Sequence, residues 1–395
     1  MRRLLVIAYF FPPLGGGGVQ RTAAFVRHWP DFGWFPVVLT GRLQDYWAWD
    51  QTLAEGLSAE VHRVEGRVER LQPLLRRMAR GSFRRMYEWA WFPDERIGWK
   101  GAAVRAAKRL HKAQRFDAIY STGAPWTNHL VARALKRSWG CRWVADFRDP
   151  WTENPSERRP PWLQALHHRQ EATVHAEADA ILANTSGQAD RLRSRFEPQG
   201  RIEVVPNGYE EQDFEGLADV PARSGSLGYA GSFYRDYRPD ALFRALAALE
   251  RPPKTLELVG NVGRGEGWPA TLPVQAHGVC THRRSLEILA GCAGLFAVLP
   301  ERPGTERWIP QKLYVYLRLG KPVLWMGPDG EAWRLLHRAS PVHLRLSSVR
   351  PDLGRLQAWL DQLPPRADND AEWVKRFDRR IHARQVADLL KDLVG

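Results

Sequence analysis

Four consecutive glycines, Gly15 to Gly18, follow the apolar run Leu4-Leu5-Val6-Ile7-Ala8-Tyr9-Phe10-Phe11 and two prolines, and they lead into an amphipathic helical pattern from Val19. Without Cβ atoms, Gly16, Gly17 and Gly18 let backbone N–H groups and a helix N-terminus approach a ligand closely, which suits an anionic or densely hydroxylated one. Taken alone, a glycine run reads as a flexible turn. Its setting says more. A strand, this loop, a helix ending at Asp31-Phe32-Gly33-Trp34 and a second strand Pro36-Val37-Val38-Leu39-Thr40 make a βαβ unit. The loop then lies at a strand's carboxyl end, where open α/β sheets bind ligands. Spacing excludes a dinucleotide fingerprint, because counting from Gly15 puts the third glycine of G-x-G-x-x-G on Gln20. No Gly-Lys-Ser/Thr follows, so a Walker loop is excluded too.

Other residues with chemical potential fall at further strand ends. Asp146, Arg148 and Asp149 crowd three charges into one loop, where they either orient an acceptor hydroxyl or form an ion-pair network that fixes the loop. Gly231-Ser232-Phe233 is a second turn after a strand, and Arg235 and Arg238 follow it as either anion-binding or surface arginines. Lys312 opens a helix preceded by Gln311, a position suited to a phosphate. His167, His168 and His175 do not spell H-E-x-x-H, since Glu171 is misplaced, and read as structural. Cys141, Cys280 and Cys292 are odd in number and lack C-x-x-C spacing, which argues against a disulfide framework or zinc site and for a reducing cytoplasm.

These residues need elements to carry them. Helix signals at Ala102 to Gln114, Thr127 to Trp139, Trp162 to Ala178 and Ser186 to Phe196 alternate with strand signals at Phe116 to Ser121, Trp143 to Phe147 and Ala180 to Asn184. Such alternation predicts a parallel doubly wound sheet. The pattern restarts at Ser226 to Gly231. Strands at Thr255 to Val259, Val274 to His277, Leu295 to Leu299, Pro322 to Trp325 and Val342 to Leu344 follow, with helices from about Asp240, Ser285, Gln311, Glu331 and Leu353, and a last helix near Asp370 to Leu393. A length of 395 residues suits two domains. The loop-rich stretch from Pro206 to Gly225 places the boundary, giving 1–205, 206–370 and a terminal helix over 371–395.

The runs Tyr9-Phe10-Phe11-Pro12-Pro13 through Gly18-Val19-Gln20-Arg21, Asp146-Phe147-Arg148-Asp149-Pro150-Trp151, Val205-Pro206-Asn207-Gly208-Tyr209, Tyr229-Ala230-Gly231-Ser232-Phe233-Tyr234, Pro310-Gln311-Lys312-Leu313-Tyr314 and Gly320-Lys321-Pro322 occur in this order. Together they resemble bacterial glycosyltransferase family four proteins. The resemblance implies a GT-B fold: two Rossmann-like domains facing across a cleft, with the C-terminal helix crossing back. It implies a retaining transfer from a nucleotide sugar without cofactor or metal, the acceptor held by the first domain and the donor by the second. Lys312 matches the family lysine and reads as a phosphate donor or a surface lysine, and His129, near the family histidine, either contacts the donor sugar, assists proton movement or is a satisfied helix histidine. Glu306 lies one place from the position of the first family glutamate and stands either for it or for a solvated loop acid. The donor contacts implied are Gly16, Gly17, Gly18, Gly231, Ser232, Phe233, Arg235, Arg238, Gln311 and Lys312. His129, Lys312 and Glu306 are the catalytic candidates, and Asp146, Arg148 and Asp149 the acceptor-side ones. Four positions depart from the pattern: Ser232 and Tyr237 replace an arginine and a lysine, and Arg307 and Val315 replace two glutamates. They keep open a catalytically silent homologue that binds a nucleotide sugar or scaffolds an assembly complex, and a sugar-nucleotide epimerase.

Charge adds a partner. Lys and Arg number 58 against 44 Asp and Glu, a formal net charge of +14. Between Val61 and Arg115 lie fifteen Lys or Arg against five acids, interleaved with Leu71, Leu74, Leu75, Met78, Phe83, Tyr87, Trp89, Trp91 and Phe92. This segment reads either as a surface for an anionic leaflet or as a solvated helix face. No nucleic-acid motif accompanies it. The expectation is a cytoplasmic protein, peripheral to the inner membrane face, acting on a lipid-linked or surface-polysaccharide acceptor.

Overall fold

The computed structural model describes residues 1–43, 49–66, 91–154, 157, 159–221, 223–233, 237–263 and 268–395. The chain divides into two units: Met1–Pro206 with Arg379–Gly395, and Asn207–Asp378.

The first unit contains β1 (Arg2–Ile7), α1 (Gly17–His28), β2 (Trp34–Gly41), β3 (Glu60–Val64), α2 (Lys100–Ala113), β4 (Ala118–Gly123), α3 (Thr127–Trp139), β5 (Arg142–Phe147), α4 (Pro161–Glu177), β6 (Ala180–Ala183), α5 (Ser186–Phe196) and β7 (Arg201–Val204). Its seven strands are parallel in the order β3-β2-β1-β4-β5-β6-β7. The sheet is apolar on both faces, as a strand covered on both sides must be. Leu5 and Ile7 turn to a cluster built with Ala103, Ala107, Val131, Leu135, Val174 and Leu192, so α2 through α5 cover one face. Leu4 and Val6 turn to the other, where Phe25 and Val26 of α1 meet Ala383, Val386, Ala387 and Leu390.

The second unit contains β8 (Arg223–Ala230), α6 (Asp240–Ala247), β9 (Thr255–Val259), β10 (Val274–Gly278), α7 (His282–Ala290), β11 (Cys292–Val298), α8 (Lys312–Leu319), β12 (Val323–Met326), α9 (Glu331–Ala339), β13 (Leu344–Leu346), α10 (Leu353–Asp361) and α11 (Ala371–Lys375). Its six parallel strands run β10-β9-β8-β11-β12-β13. Here too each face has its own buried cluster. The chain then returns to the first unit as α12 (Arg379–Val394), whose Ala387 carbonyl accepts from Trp34 Nε1 at 3.1 Å.

Three expectations about elements need correction. The last helix is broken over residues 376–378, because the Phe377 carbonyl accepts from Tyr209 N–H at 3.1 Å and Tyr209 bridges Asp378. The strand expected at Val342 begins at Leu344 instead, since the Val342 carbonyl accepts from the indole of Trp359 at 2.7 Å. The basic segment from Val61 is not one amphipathic element. Its described ends are edge strand β3 and helix α2, both parts of the first sheet's fold, while residues 67–90 lie outside the described residues.

Candidate functional site

In the first unit, α1 starts within the glycine run: Gly16 is its N-cap, at φ 100° and without a side-chain cap. The close approach that a missing Cβ permits here is made by the protein itself. A Cβ on Gly18 would lie 1.4 Å from Arg148 Nη1. That guanidinium is held in place by two carbonyls, Nε donating to Gly123 O at 2.9 Å and Nη2 to Ala124 O at 2.7 Å. A fixed cation thus stands against the first turn of α1, and both favour negative charge nearby.

The loop charges divide. Asp146 is buried and engaged, its oxygens accepting from Arg21 Nε at 2.9 Å, Arg21 Nη2 at 3.1 Å and the Tyr120 hydroxyl at 2.5 Å. Arg21 also donates from Nη1 to Pro206 O at 2.6 Å. Burial and the Asp146 charge push the Tyr120 phenol well above its usual pKa. This bidentate pair binds α1, the end of β5 and Pro206 into one piece, with both Asp146 oxygens engaged. Asp149 is exposed.

His129 is fully buried at the start of α3. Trp143 Nε1 donates to Ser121 Oγ at 2.8 Å, and the Ser121 hydroxyl and His129 Nδ1 share a hydrogen bond, also at 2.8 Å. Nε2 has no hydrogen-bond partner among the described residues. Burial, with His175 and Arg148 nearby, lowers the His129 pKa to about 3, so the ring is neutral near pH 7.

In the second unit Gly231 follows β8 at φ 144°, and a Cβ there would lie 2.6 Å from Lys312 Nζ. Lys312 opens α8, and its Nζ sits 3.7 Å from the centroid of the Tyr229 ring. Among the described residues no carboxylate pairs with it. Burial lowers its pKa to about 7. Next to it, the Tyr316 hydroxyl accepts from Ala230 N–H at 3.0 Å, tying α8 to the end of β8.

The remaining candidates scatter. Gln311 is the N-cap of α8. Phe233 packs on the apolar cluster below β8, its N–H donating to Asn261 O at 3.0 Å, and the Ser232 carbonyl faces the Tyr229 hydroxyl at 3.5 Å. Arg238 pairs with Asp240 at 3.1 Å. Glu306 accepts from Gly304 N–H at 2.7 Å and pairs with Arg307 at 3.1 Å, so its carboxylate serves the 304–307 turn. Val315 is buried in the core cluster. Arg235 lies outside the described residues. Two residues escaped the sequence reading: Tyr229, whose ring carries Lys312, and Arg21, which a helix pattern places on the apolar face with Phe25. Among the described residues no group of three His, Cys, Asp or Glu could hold a metal ion, and no helix is long and apolar enough to cross a membrane.

Two parallel, doubly wound units of seven and six strands define the GT-B class. Residues 16–208 match the family described as Glycosyl transferase 4-like domain, which places this part of the chain in that glycosyltransferase family. Solved structures agree in fold. The chain is similar to sucrose-phosphate synthase from Thermosynechococcus elongatus, with TM-score 0.68 and 15% identity, covering 100% of this chain and 99% of that one. A glycosyltransferase from Rickettsia africae gives TM-score 0.66 and 12% identity, over 100% and 99%. Anabaena HepE, solved in complex with UDP, gives 0.63 and 15%, over 99% and 100%. No curated protein matches the chain in sequence.

Proposed function

We propose that this protein moves a sugar from a nucleoside-diphosphate donor, held by the second unit, to a lipid-linked or polysaccharide acceptor held by the first, with retention of anomeric configuration and no metal. The observation that carries the reading is Lys312. A desolvated ammonium over an aromatic face, at a helix start and beside a glycine at a strand end, is an incomplete electrostatic arrangement. A diphosphate completes it. The same cation then stabilises the charge that grows on the departing nucleoside diphosphate. UDP in the structure of Anabaena HepE supports this class of ligand. In the first unit Arg148 and the start of α1 offer fixed donors for the acceptor, while neutral His129, whose Nε2 has no partner among the described residues, suits contact with a hydroxyl.

A second reading keeps binding and drops turnover. Val315 offers α8 no carboxylate one turn beyond Lys312, and Glu306 is committed to its own turn. A thermal-shift screen with UDP, GDP, ADP and their sugars identifies the donor, since a ligand of the native state raises its stability. Incubation of that donor with and without acceptor, in EDTA, then separates the readings. Transfer or slow donor hydrolysis supports the transferase; binding without turnover supports the silent homologue; sugar interconversion supports an epimerase.

A further inference from the structure

Cations elsewhere in the molecule are held by carboxylates: Arg21 by Asp146, Arg318 by Glu211. Lys312 is held by a ring. It is half-buried, no carboxylate among the described residues pairs with it, and its Nζ lies 3.7 Å from the centroid of Tyr229. The sequence builds this seat along β8. Tyr229 and Gly231 are two residues apart at the strand's carboxyl end, so they project to the same side. The first supplies a ring face, and the second, lacking a Cβ, supplies the space beside it. A Cβ on Gly231 would lie 2.6 Å from Lys312 Nζ and 3.0 Å from the Tyr229 hydroxyl oxygen.

The ring is fixed in turn. It is 2% exposed and stacks on Phe296 of β11, centroids 5.2 Å apart and planes at 25°, with the Phe233 ring at 4.8 Å. Its hydroxyl lies 3.5 Å from Ser232 O. The helix that carries the lysine is tied to the same strand end, where the Tyr316 hydroxyl accepts from Ala230 N–H at 3.0 Å.

An aromatic face attracts a cation through its quadrupole and carries no net charge. A carboxylate in its place would neutralise the ammonium and compete with an anionic ligand, whereas the ring fixes Nζ and leaves its charge free to act. Burial brings the Lys312 pKa to about 7, so ammonium and amine are near balance at neutral pH. A ring contact in a desolvated place shifts such a balance by roughly five- to thirtyfold toward the cation. The titratable neighbours are Tyr229 itself on β8 and Tyr316 on α8, whose phenol burial pushes well above its usual pKa.

We propose that Tyr229 is the positioning residue of the donor site, its ring face holding the Lys312 ammonium at the carboxyl end of β8 as a charge that no counter-ion has neutralised. The ligand that uses this charge rests on the reading of a nucleoside-diphosphate donor; the seat belongs to the ligand-free protein.

The test is a titration of the full ligand-free chain with its nine lysines labelled at Cε, followed by NMR, with Lys312→Arg assigning the signal. At position 229 the wild type is compared with Tyr229→Phe and with phenylalanines carrying one to three ring fluorines, which keep the shape of the ring and withdraw the negative potential of its face. Tyr229→Phe keeps the low-titrating signal within about twofold of wild type, and successive fluorines lower its proton affinity to about tenfold below. The other eight signals stay in place, which separates loss of the seat from loss of fold. With the donor nucleotide, affinity at pH 8 falls by about the same tenfold, because the bound ammonium must then be made from amine, while at pH 6 it falls about twofold or less. A Lys312 signal that fluorination leaves unmoved overturns the proposal, as does a nucleotide affinity whose pH profile ignores the ring. A wild type that binds no donor nucleotide at any pH sinks the donor reading alone, and the lysine titration still decides the seat.

Discussion

The two units solve the same local problem with different cations. In each a glycine beside a strand end or helix start makes room for a positive side chain: Gly18 for Arg148 in the first, Gly231 for Lys312 in the second. Arg148 is tethered by two backbone carbonyls, and a guanidinium stays charged throughout the working pH range. Lys312 rests on a ring face with no carboxylate among the described residues, and burial brings its pKa to about 7. The first is a permanent, geometrically fixed charge. The second has a charge that its ligand reinforces. Under the proposed function, the former suits recognition of an acceptor by shape and the latter capture and release of a diphosphate.

The largest effect expected is on stability in acid, and it separates the units. His129 in the first is held near pKa 3 and His167 near 4, both chiefly by burial; the second unit's His343 is held near 4 by burial, with Asn369 opposing. Unfolded histidines titrate near 6.5, so below that pH the unfolded chain binds protons that the folded chain refuses. Stability is full above about pH 6.5 and falls toward pH 4, by about 1.4 kcal/mol per pH unit for each histidine. Acid unfolding followed by hydrogen exchange should show the first unit opening at higher pH; simultaneous opening breaks this contrast. Next in size, Lys312→Gln weakens donor-nucleotide binding by about 1.5 to 3 kcal/mol, read by calorimetry, while Arg148→Gln leaves that affinity unchanged and raises the acceptor KM. A loss of donor affinity in both variants merges the two sites. Smaller still, Gly18→Ala displaces the Arg148 guanidinium and costs about 1 kcal/mol in stability. Combined with Arg148→Gln the cost is less than additive, because the clashing atoms are gone.

Much of this was legible in the residues. The strand and helix alternation gave both sheets because buried parallel strands are apolar throughout, as at Leu4 to Ile7 and Leu256 to Val259, and Lys312 was visible as a cation at a helix start. What the glycines admit was not legible. The run at 15–18 suggested a ligand at close range, whereas at Gly18 the approaching group is Arg148, 130 positions away in sequence. The charged trio looked uniform, yet only the fold buries Asp146 against Arg21 and Tyr120 and leaves Asp149 in solvent. Helix α4 was legible as a helix, but the inward His167 and Glu171, which bond Trp151 Nε1 and Thr152 N–H, were not.

Proton uptake on binding tests the central claim most directly. Titrating the donor nucleoside diphosphate near pH 8 in buffers of different ionisation enthalpy counts the protons taken up when Lys312 becomes charged against the diphosphate. The account predicts a substantial fraction of one proton for the wild type, vanishing in Lys312→Gln, with affinity weakening as pH rises above about 7. Equal uptake in both proteins, or nucleotide affinity indifferent to Lys312, contradicts it.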